Sequence, residues 1–288
     1  MNYPTLADGV FLRRLDKLGE QRKLWKIGQI DAIGIRGPHD KELQEFSKTK
    51  YSLFKELAID KLRGFIINDI GGKMDNIGLG EDWTITFEIF PQVNIHISYS
   101  FFGDEFGDES EAELNYYFSG ERVHLVPGED LVAFVDILLD FIERMIKNEE
   151  PFDKNYDIKS KMMENVLTHR SEPFKFLKDE DKEKLSIFIG AKIQKTSDRW
   201  SIIREIFPNI FTEIIWNTKK GLDMAFSGDN LTKISSVHAE YAGIFAINHI
   251  LRYITLNSTE KNLPSICFTM FSRYFTKQKN WEHARRRE

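Results

Sequence analysis

The fold class is decided by two neighbouring runs of sequence, DWTITFEIF at residues 82–90 and VNIHISY at residues 93–99. Polar and apolar residues alternate in both runs, and this period of two is typical of half-buried strands. A third run of this kind, LNYYF, follows at residues 114–118, and a helix with a wide apolar stripe is predicted from residue 127 to residue 147. The stretch therefore predicts a small antiparallel sheet covered by helices.

The chain after residue 150 shows mainly helical signals. Asp198 precedes an apolar run at a position that suits a helix N-cap, and Pro208 suits the first turn of another helix. Polar residues around position 150 separate this half from the first one. We therefore predict an α+β protein in which an α+β domain with an antiparallel sheet, residues 1–150, precedes an all-helical domain, residues 151–288.

Composition limits the kinds of protein that the chain can be. Its 288 residues include 40 Lys and Arg against 45 Asp and Glu, and the net charge of -5 disfavours nucleic-acid binding over the whole surface. The single cysteine, Cys267, excludes an intramolecular disulfide and a multi-cysteine metal site within one chain. No apolar run reaches the roughly 18 residues of a membrane span, and the first residues lack the order of a signal peptide. We expect a cytoplasmic protein with no membrane partner.

Four residues are candidates for ligand binding. His96 lies on the polar side of the second predicted strand, and Asp104 and Glu105 begin the acidic loop that follows it. His238 lies on a long helix predicted to begin after Ser235. A metal site needs three or four ligands at suitable spacing, and the two histidines do not supply them, so we predict no metal, leave the cofactor unknown and assign no catalytic residue.

Five residues are candidates for partner binding. Phe102 and Phe106 bring apolar side chains to the acidic loop, whereas Arg273, Trp281 and Arg285 belong to a C-terminal tail of interleaved basic and aromatic residues. Such a tail could bind nucleic acid or an acidic protein. Cations also stabilise the C-terminal end of any helix, and a charge-rich loop is most often a solvated hairpin tip. The partner, a protein or a small molecule, stays unknown.

Three short motifs resemble a known family. The sequences FPQV at residues 90–93, DEF at residues 104–106 and PGEDL at residues 127–131 occur in this order. The stretch of roughly residues 57–146 that contains them resembles a domain-of-unknown-function family, number thirty-seven eighty-six, of anaerobic bacteria and archaea. The resemblance implies a link to anaerobic one-carbon or corrinoid metabolism, because some relatives carry an iron-sulfur module. This chain lacks the cysteine cluster of such a module, and the family provides no catalytic residues to carry over.

The motifs of common enzymes are missing from the sequence. It contains no Gly-x-Ser-x-Gly elbow, no phosphate-binding glycine loop and no histidine-carboxylate spacing of a helical metal site. The leading hypothesis is therefore a non-catalytic ligand- or protein-binding module. An alternative is an enzyme whose site lies between the domains and is built from His96, Asp104, Glu105 and His238. A second alternative is nucleic-acid binding through the basic tail.

Overall fold

Two four-stranded antiparallel sheets and the helices around them make up the described part of the chain. The structure is a computed structural model that describes residues 23–33, 37–55, 59–103, 112–260 and 262–281. The first half contains α1 (Ile27–Ile30), α2 (Pro38–Lys50), α3 (Ser52–Lys55), α4 (Ile59–Phe65), a π-helical turn (Ile66–Ile70), β1 (Lys73–Asp75), β2 (Trp83–Phe90), β3 (Val93–Phe101), β4 (Ala112–Ser119), a 3-10 turn (Val123–Leu125) and α5 (Gly128–Lys147). The second half contains α6 (Lys161–His169), a 3-10 turn (Glu172–Phe176), α7 (Asp181–Ile189), β5 (Lys192–Lys195), β6 (Arg199–Phe207), β7 (Ile210–Asn217), β8 (Gly221–Ser227), a 3-10 turn (Leu231–Lys233), α8 (Ser236–Asn257), α9 (Ile266–Thr269) and α10 (Arg273–Gln278). The predicted α+β class is confirmed.

The prediction of an all-helical second half is wrong. The apolar runs after Asp198 and Pro208 are not helices but the strands β6 and β7, which pair with each other in a sheet of order β5-β6-β7-β8. Short apolar runs do not distinguish a buried strand from a buried helix by period alone. Pro208 and Asn209 form the tight turn that joins the two strands, because proline suits a tight turn as well as the first turn of a helix.

The long helix after Ser235 is confirmed. The hydroxyl of Ser235 accepts a hydrogen bond of 3.1 Å from the backbone N–H of His238, which caps the first turn of α8. Gly243 lies where α8 crosses the sheet, and a Cβ there would overlap the thioether of Met224. The helix can therefore approach the strands closely, and most of its side chains are buried.

The two halves repeat one arrangement of elements. Repeat 1, residues 38–147, and repeat 2, residues 161–257, each contain helices, four antiparallel strands, a 3-10 turn and a long final helix in the same order. The sequence EIFP occurs at residues 88–91 and again at residues 205–208, in both cases at a bulge and turn between the second and third strands. The sequence FSG ends the fourth strand of each repeat.

The turns of the two repeats also share unusual backbone angles. Gln92 and Asn209 follow the shared proline with φ of 67° and 61°. Gly120 and Gly228 have φ of 107° and 122°, and a Cβ on either glycine would overlap the carbonyl of Gln92 or Asn209. Glycine is required there by both conformation and space. The shared sequence and geometry indicate an internal duplication.

Reciprocal contacts relate the repeats as in a two-fold symmetric dimer. Gly71, which ends the π-helical turn of repeat 1, lies against Pro208 of repeat 2, and Gly190, which ends α7 of repeat 2, lies against Pro91 of repeat 1. An interface in which two equivalent patches contact each other in this manner is isologous. One continuous cluster of buried side chains runs through both repeats. The division into two domains at residue 150 falls between the repeats and stays a prediction.

Within the described residues, no helix combines the length and apolar content that a bilayer crossing requires.

Candidate functional site

A small cleft of about 160 Å³ opens at the N-terminal end of α5. Its walls include Asp31, His39, Gly128, Glu129, Phe271 and Arg273. These residues come from the ends of α1, α2, α5 and α10, so the cleft is assembled from distant parts of the sequence. It brings one histidine, two carboxylates and one guanidinium together.

Asp31 fixes the position of His39. Its carboxylate lies so close to Gly128, the first residue of α5, that a Cβ on the glycine would overlap it. The unpaired N–H groups at the start of a long helix stabilise a carboxylate at this place. The Oδ2 of Asp31 lies 2.7 Å from Nδ1 of His39, and Asp31 is only 6% exposed. An ionised Asp31 requires the proton of neutral His39 to be on Nδ1, which leaves Nε2 as a proton acceptor.

Glu129 and Arg273 bring opposite charges to the same cleft. Both are exposed, and neither forms an ion pair with any residue in the described part of the chain. Phe271, with no exposed surface, supplies an apolar wall. Sites for cofactors and drug-sized ligands usually measure about 300–1,000 Å³. The cleft is therefore suited to a group no larger than one side chain.

His96 is held inside the first sheet. It is fully buried, with Nδ1 2.7 Å from the hydroxyl of Thr86 and Nε2 2.7 Å from the hydroxyl of Ser119. Both ring nitrogens are thus engaged by neighbouring strands, and binding a ligand would require breaking one of these bonds. The described contacts of His96 lie in the sheet, whereas those of His238 lie on α5, so the structure does not bring these two predicted residues together.

The predicted partner-binding residues have different surroundings. Phe102 is 51% exposed at the end of β3, and Arg273 lines the cleft, as described above. Trp281 packs edge-on against Phe268, Phe271 and Phe275, and this aromatic cluster gives it a structural role. The partner-binding candidates Phe106 and Arg285 lie outside the described residues, as do the ligand-binding candidates Asp104 and Glu105.

His238 lies between two carboxylates of α5. Its Nδ1 is 3.2 Å from Oδ2 of Asp140, and its Nε2 is 3.9 Å from Oδ2 of Asp136. Arg144 also donates to Asp140 at 2.8 Å. Burial alone would raise the pKa of Asp140, but His238 and Arg144 outweigh it and lower that pKa to about 2. Burial raises the pKa of Asp136, against an opposing effect of His238.

A matching polar network joins the other ends of α5 and α8. Here Asp130, at the start of α5, accepts hydrogen bonds from Arg252 and Asn248 near the end of α8. Asp130, Asn248 and Arg252 occupy the positions that His238, Asp140 and Arg144 occupy in the other repeat. The two repeats therefore share an arginine at the equivalent positions 144 and 252 and differ at the other two positions of the network. The Asp130 network is almost fully buried, whereas the His238 network is partly exposed.

His249 is a buried histidine for which the sequence assigned no role. Its ring has no exposed surface and is stacked on Phe90 and on Phe188. Arg252 Nη1 lies 3.2 Å from its Nδ1. Burial lowers the pKa of His249 well below its usual value, and the nearby guanidinium groups of Arg252, Arg204 and Arg122 lower it further. The ring is therefore neutral in the folded protein.

Arg204 is fully buried beside the same cluster. Its guanidinium is 4.5 Å from the centre of the Phe90 ring and donates to the carbonyl oxygens of Ile89 and Ile189. Burial lowers its pKa to about 10. The bond to Ile89 links the two repeats, whereas the bond to Ile189 lies within repeat 2, and the equivalent residue of repeat 1 is the apolar Phe87. We assign the Arg204 and His249 cluster to the interface between the repeats.

No group of three or more His, Cys, Asp or Glu side chains in the described ranges is arranged to hold a metal ion. Comparison with the models of known protein families, with curated proteins and with solved structures finds no match. The resemblance to the domain-of-unknown-function family accordingly stays a prediction.

Proposed function

We propose that the chain is a non-catalytic binding module whose cleft at the start of α5 receives one charged group of a partner protein. The observation that carries this proposal is the presence of two exposed opposite charges, Glu129 and Arg273, which form no ion pair with any described residue, beside His39 in a volume of about 160 Å³. A partner side chain that fills a small cleft and pairs with a charge at its rim is a common anchor of protein interfaces.

Two further observations favour binding over catalysis. The cleft is smaller than the usual volume of a substrate or cofactor site. The buried ionisable groups outside the cleft contact one another or the backbone, as in the Asp130 and Arg252 pair. Their arrangement stabilises the packing of the helices.

Charge reversal tests the proposal. Immobilised protein would be used to capture partners from a lysate of the cells that produce it, and the bound proteins would be identified by mass spectrometry. We expect Arg273→Glu or Glu129→Lys to abolish retention of a partner that the wild type retains. Lys220→Glu, in the exposed turn between β7 and β8, makes the same charge change elsewhere and should retain the partner. Equal retention by all three variants would contradict a role of the cleft.

A second candidate function is enzymatic, and the Asp31 and His39 pair favours it. A histidine held by a carboxylate through Nδ1 is a suitable general base at Nε2. Melting temperatures measured with metals, nucleotides, flavins, haem and corrinoids would reveal a small ligand, since a ligand at a hundred times its Kd stabilises the folded state by about 2.7 kcal/mol. A rise in melting temperature that His39→Ala abolishes would support a small-molecule site over the protein-binding proposal.

The proposed compartment rests on the cysteine content, and the proposed metabolic setting rests on the short motifs of the sequence. We propose a cytoplasmic location because the single cysteine, Cys267, is a buried free thiol and the sequence contains no second cysteine to form a disulfide. The link to anaerobic corrinoid metabolism rests on the three short motifs alone. Capture of a corrinoid-dependent methyl-transfer protein by the wild type, and not by Arg273→Glu, would support it.

A further inference from the structure

The outer edges of the two sheets occupy equivalent places in the two repeats. The edge strand is β4 in repeat 1 and β8 in repeat 2. In repeat 1 the edge is extended by Trp25, which exchanges two backbone hydrogen bonds with Phe118, at 2.7 Å and 2.9 Å. This exchange is the pattern of an added antiparallel strand. A segment from outside the sheet thus occupies the edge of β4.

Phe226 is the counterpart of Phe118 on the other edge. Both residues begin the shared FSG sequence, and they lie opposite Ile95 and Thr212, each the fourth residue after the shared proline. The two-bond exchange with Trp25 shows that Phe118 turns its N–H and C=O away from β3. The identical register gives Phe226 the same orientation, away from β7. In the described part of the chain no residue forms a bridge to Phe226 on the side away from β7.

The exposure of the two phenylalanine side chains agrees with an edge that is covered at Phe118 and uncovered at Phe226. The side chain of Phe118 has no exposed surface, whereas that of Phe226 is partly exposed. The phenylalanine is the same in both repeats, so the difference lies in what covers it. Among the described residues, none gives repeat 2 the backbone bonds and the apolar cover that repeat 1 receives from Trp25.

The course of the chain explains the difference between the edges. Asp31 contacts the first residue of α5, and Asp153 accepts a hydrogen bond of 3.0 Å from the first residue of α8, so these two aspartates are equivalent. Trp25 lies six residues before Asp31, and the residue six before Asp153 is Lys147. Lys147 is the last residue of α5 and cannot also be an extended strand beside β8. Within the described ranges, the second edge is therefore without an equivalent of the Trp25 segment.

We propose that the edge of β8 at Phe226 binds an extended segment of a partner protein by strand addition. The segment would run antiparallel to β8, exchange two backbone hydrogen bonds with Phe226 and place an apolar side chain opposite its ring. The Trp25 segment of the same chain shows which chemistry fits, namely a large apolar residue in an extended backbone. This surface is separate from the cleft at α5, so the inference does not rest on the proposed function of that cleft.

Peptides selected from a phage-displayed random library against the intact chain provide the probe. We expect selected peptides to share a large apolar residue and to slow hydrogen exchange at the amide of Phe226 in the wild type. Phe226→Pro removes the outward N–H at a position where an edge strand tolerates proline, and it should weaken the Kd by about tenfold. Phe226→Leu keeps both the N–H and an apolar side chain, and its Kd should stay within about twofold of the wild type.

Three results would overturn the inference. They are a selection that yields no peptide, peptides that leave exchange at Phe226 unchanged, and peptides that bind Phe226→Pro as tightly as Phe226→Leu. The exchange measurement uses the wild-type chain and therefore decides the matter even if Phe226→Pro fails to fold. A dimer of the wild-type chain that Phe226→Pro dissociates would show that the occupant is a second copy, and would overturn the assignment to a different protein.

Discussion

His249 and Phe90 lie face to face, with ring centroids 4.1 Å apart and planes 11° from parallel. The equivalent pair, Phe141 and Phe207, has centroids 4.6 Å apart and planes 7° from parallel. Each pair joins the final helix of one repeat to the second strand of the other. One side of the interface between the repeats is thus fully aromatic, and the other contains a histidine with Arg204 beside the same phenylalanine.

This asymmetry predicts that the stability of the protein falls in mild acid. The pKa of His249 is lowered in the folded state by burial and by Arg252, Arg204 and Arg122. Below pH 6.5, the usual value, the unfolded chain binds a proton at this histidine and the folded chain does not. Stability is therefore lost as pH falls from 6.5 towards the lowered folded pKa, by up to about 1.4 kcal/mol per pH unit.

His249→Phe should remove this dependence, because it places the residue of the equivalent position, Phe141, at the interface. Urea unfolding at about pH 7.5 and pH 5.5 would measure the effect, with a smaller loss of free energy of unfolding expected for the variant. His169→Gln, on the exposed face of α6, is the control and should lose as much stability as the wild type. An unchanged loss in His249→Phe would show that other groups cause the acid sensitivity.

The two polar networks between α5 and α8 should differ in their contribution to stability. Asp130 and Arg252 are almost fully buried, so Asp130→Ala leaves a buried guanidinium unpaired and should lower the free energy of unfolding by about 3–5 kcal/mol. Asp140→Ala changes the equivalent network where Arg144 and His238 keep access to water, and it should lower that free energy by only about 1 kcal/mol.

Chemical unfolding of the two variants at pH 7 would test this comparison. Each removes one carboxylate from the same interface, so the two substitutions serve as matched controls. Equal losses would mean that burial does not determine the strength of these pairs, and a larger loss for Asp140→Ala would contradict the pairing described for Asp130.

Cys267 should be unreactive in the folded protein. Its side chain is fully buried and burial raises the pKa of its thiol to about 11, so the reactive thiolate is scarce near pH 8. A thiol reagent such as Ellman's should label the native chain slowly and at the rate of unfolding, and should label the urea-unfolded chain at once. Fast labelling under native conditions would place the thiol at the surface.

Long, regular patterns predict three strands of the first sheet, β2 to β4, and the helix α5 from the sequence, but not the short edge strand β1. In β2 and β3 the polar and apolar residues alternate strictly, and the turn residues around them agree with a hairpin. In β7 the burial also alternates, but Phe211 and Ile215 add apolar residues at the partly exposed positions and hide the period of two. The recurrence of EIFP would have revealed β6 and β7, because its first copy ends a clear strand.

The candidate site could be predicted only in part. The sequence predicts Arg273 as a partner-binding residue, but its neighbours Asp31 and Glu129 belong to different elements, and no sequence spacing relates such residues. The sequence does not predict the contacts of His238 with Asp136 and Asp140 for the same reason, because these carboxylates lie on α5 whereas His238 lies on α8. Contacts that depend on the packing of two repeats become visible only when the duplication is known.

The duplication also suggests why Gly128 is needed at the start of α5. The equivalent first residue of α8 is Ser236, whose backbone N–H donates to the carbonyl oxygen of Asp153 and whose side chain is accommodated beside that aspartate. A Cβ on Gly128 would overlap the carboxylate of Asp31 and displace it from His39. We expect Gly128→Ala to lower the free energy of unfolding by about 1–3 kcal/mol and to weaken partner binding at the cleft.

Ser236→Ala is the matched substitution at the start of α8, and it should change stability by less than about 1 kcal/mol. Thermal and urea unfolding would compare the two variants, and binding of the partner retained by the wild type would be measured for each. Because Gly128→Ala acts by moving Asp31, combining it with Asp31→Ala should restore much of the lost stability. If the double variant is as unstable as the sum of its single changes, the overlap with Asp31 is not the reason for the glycine.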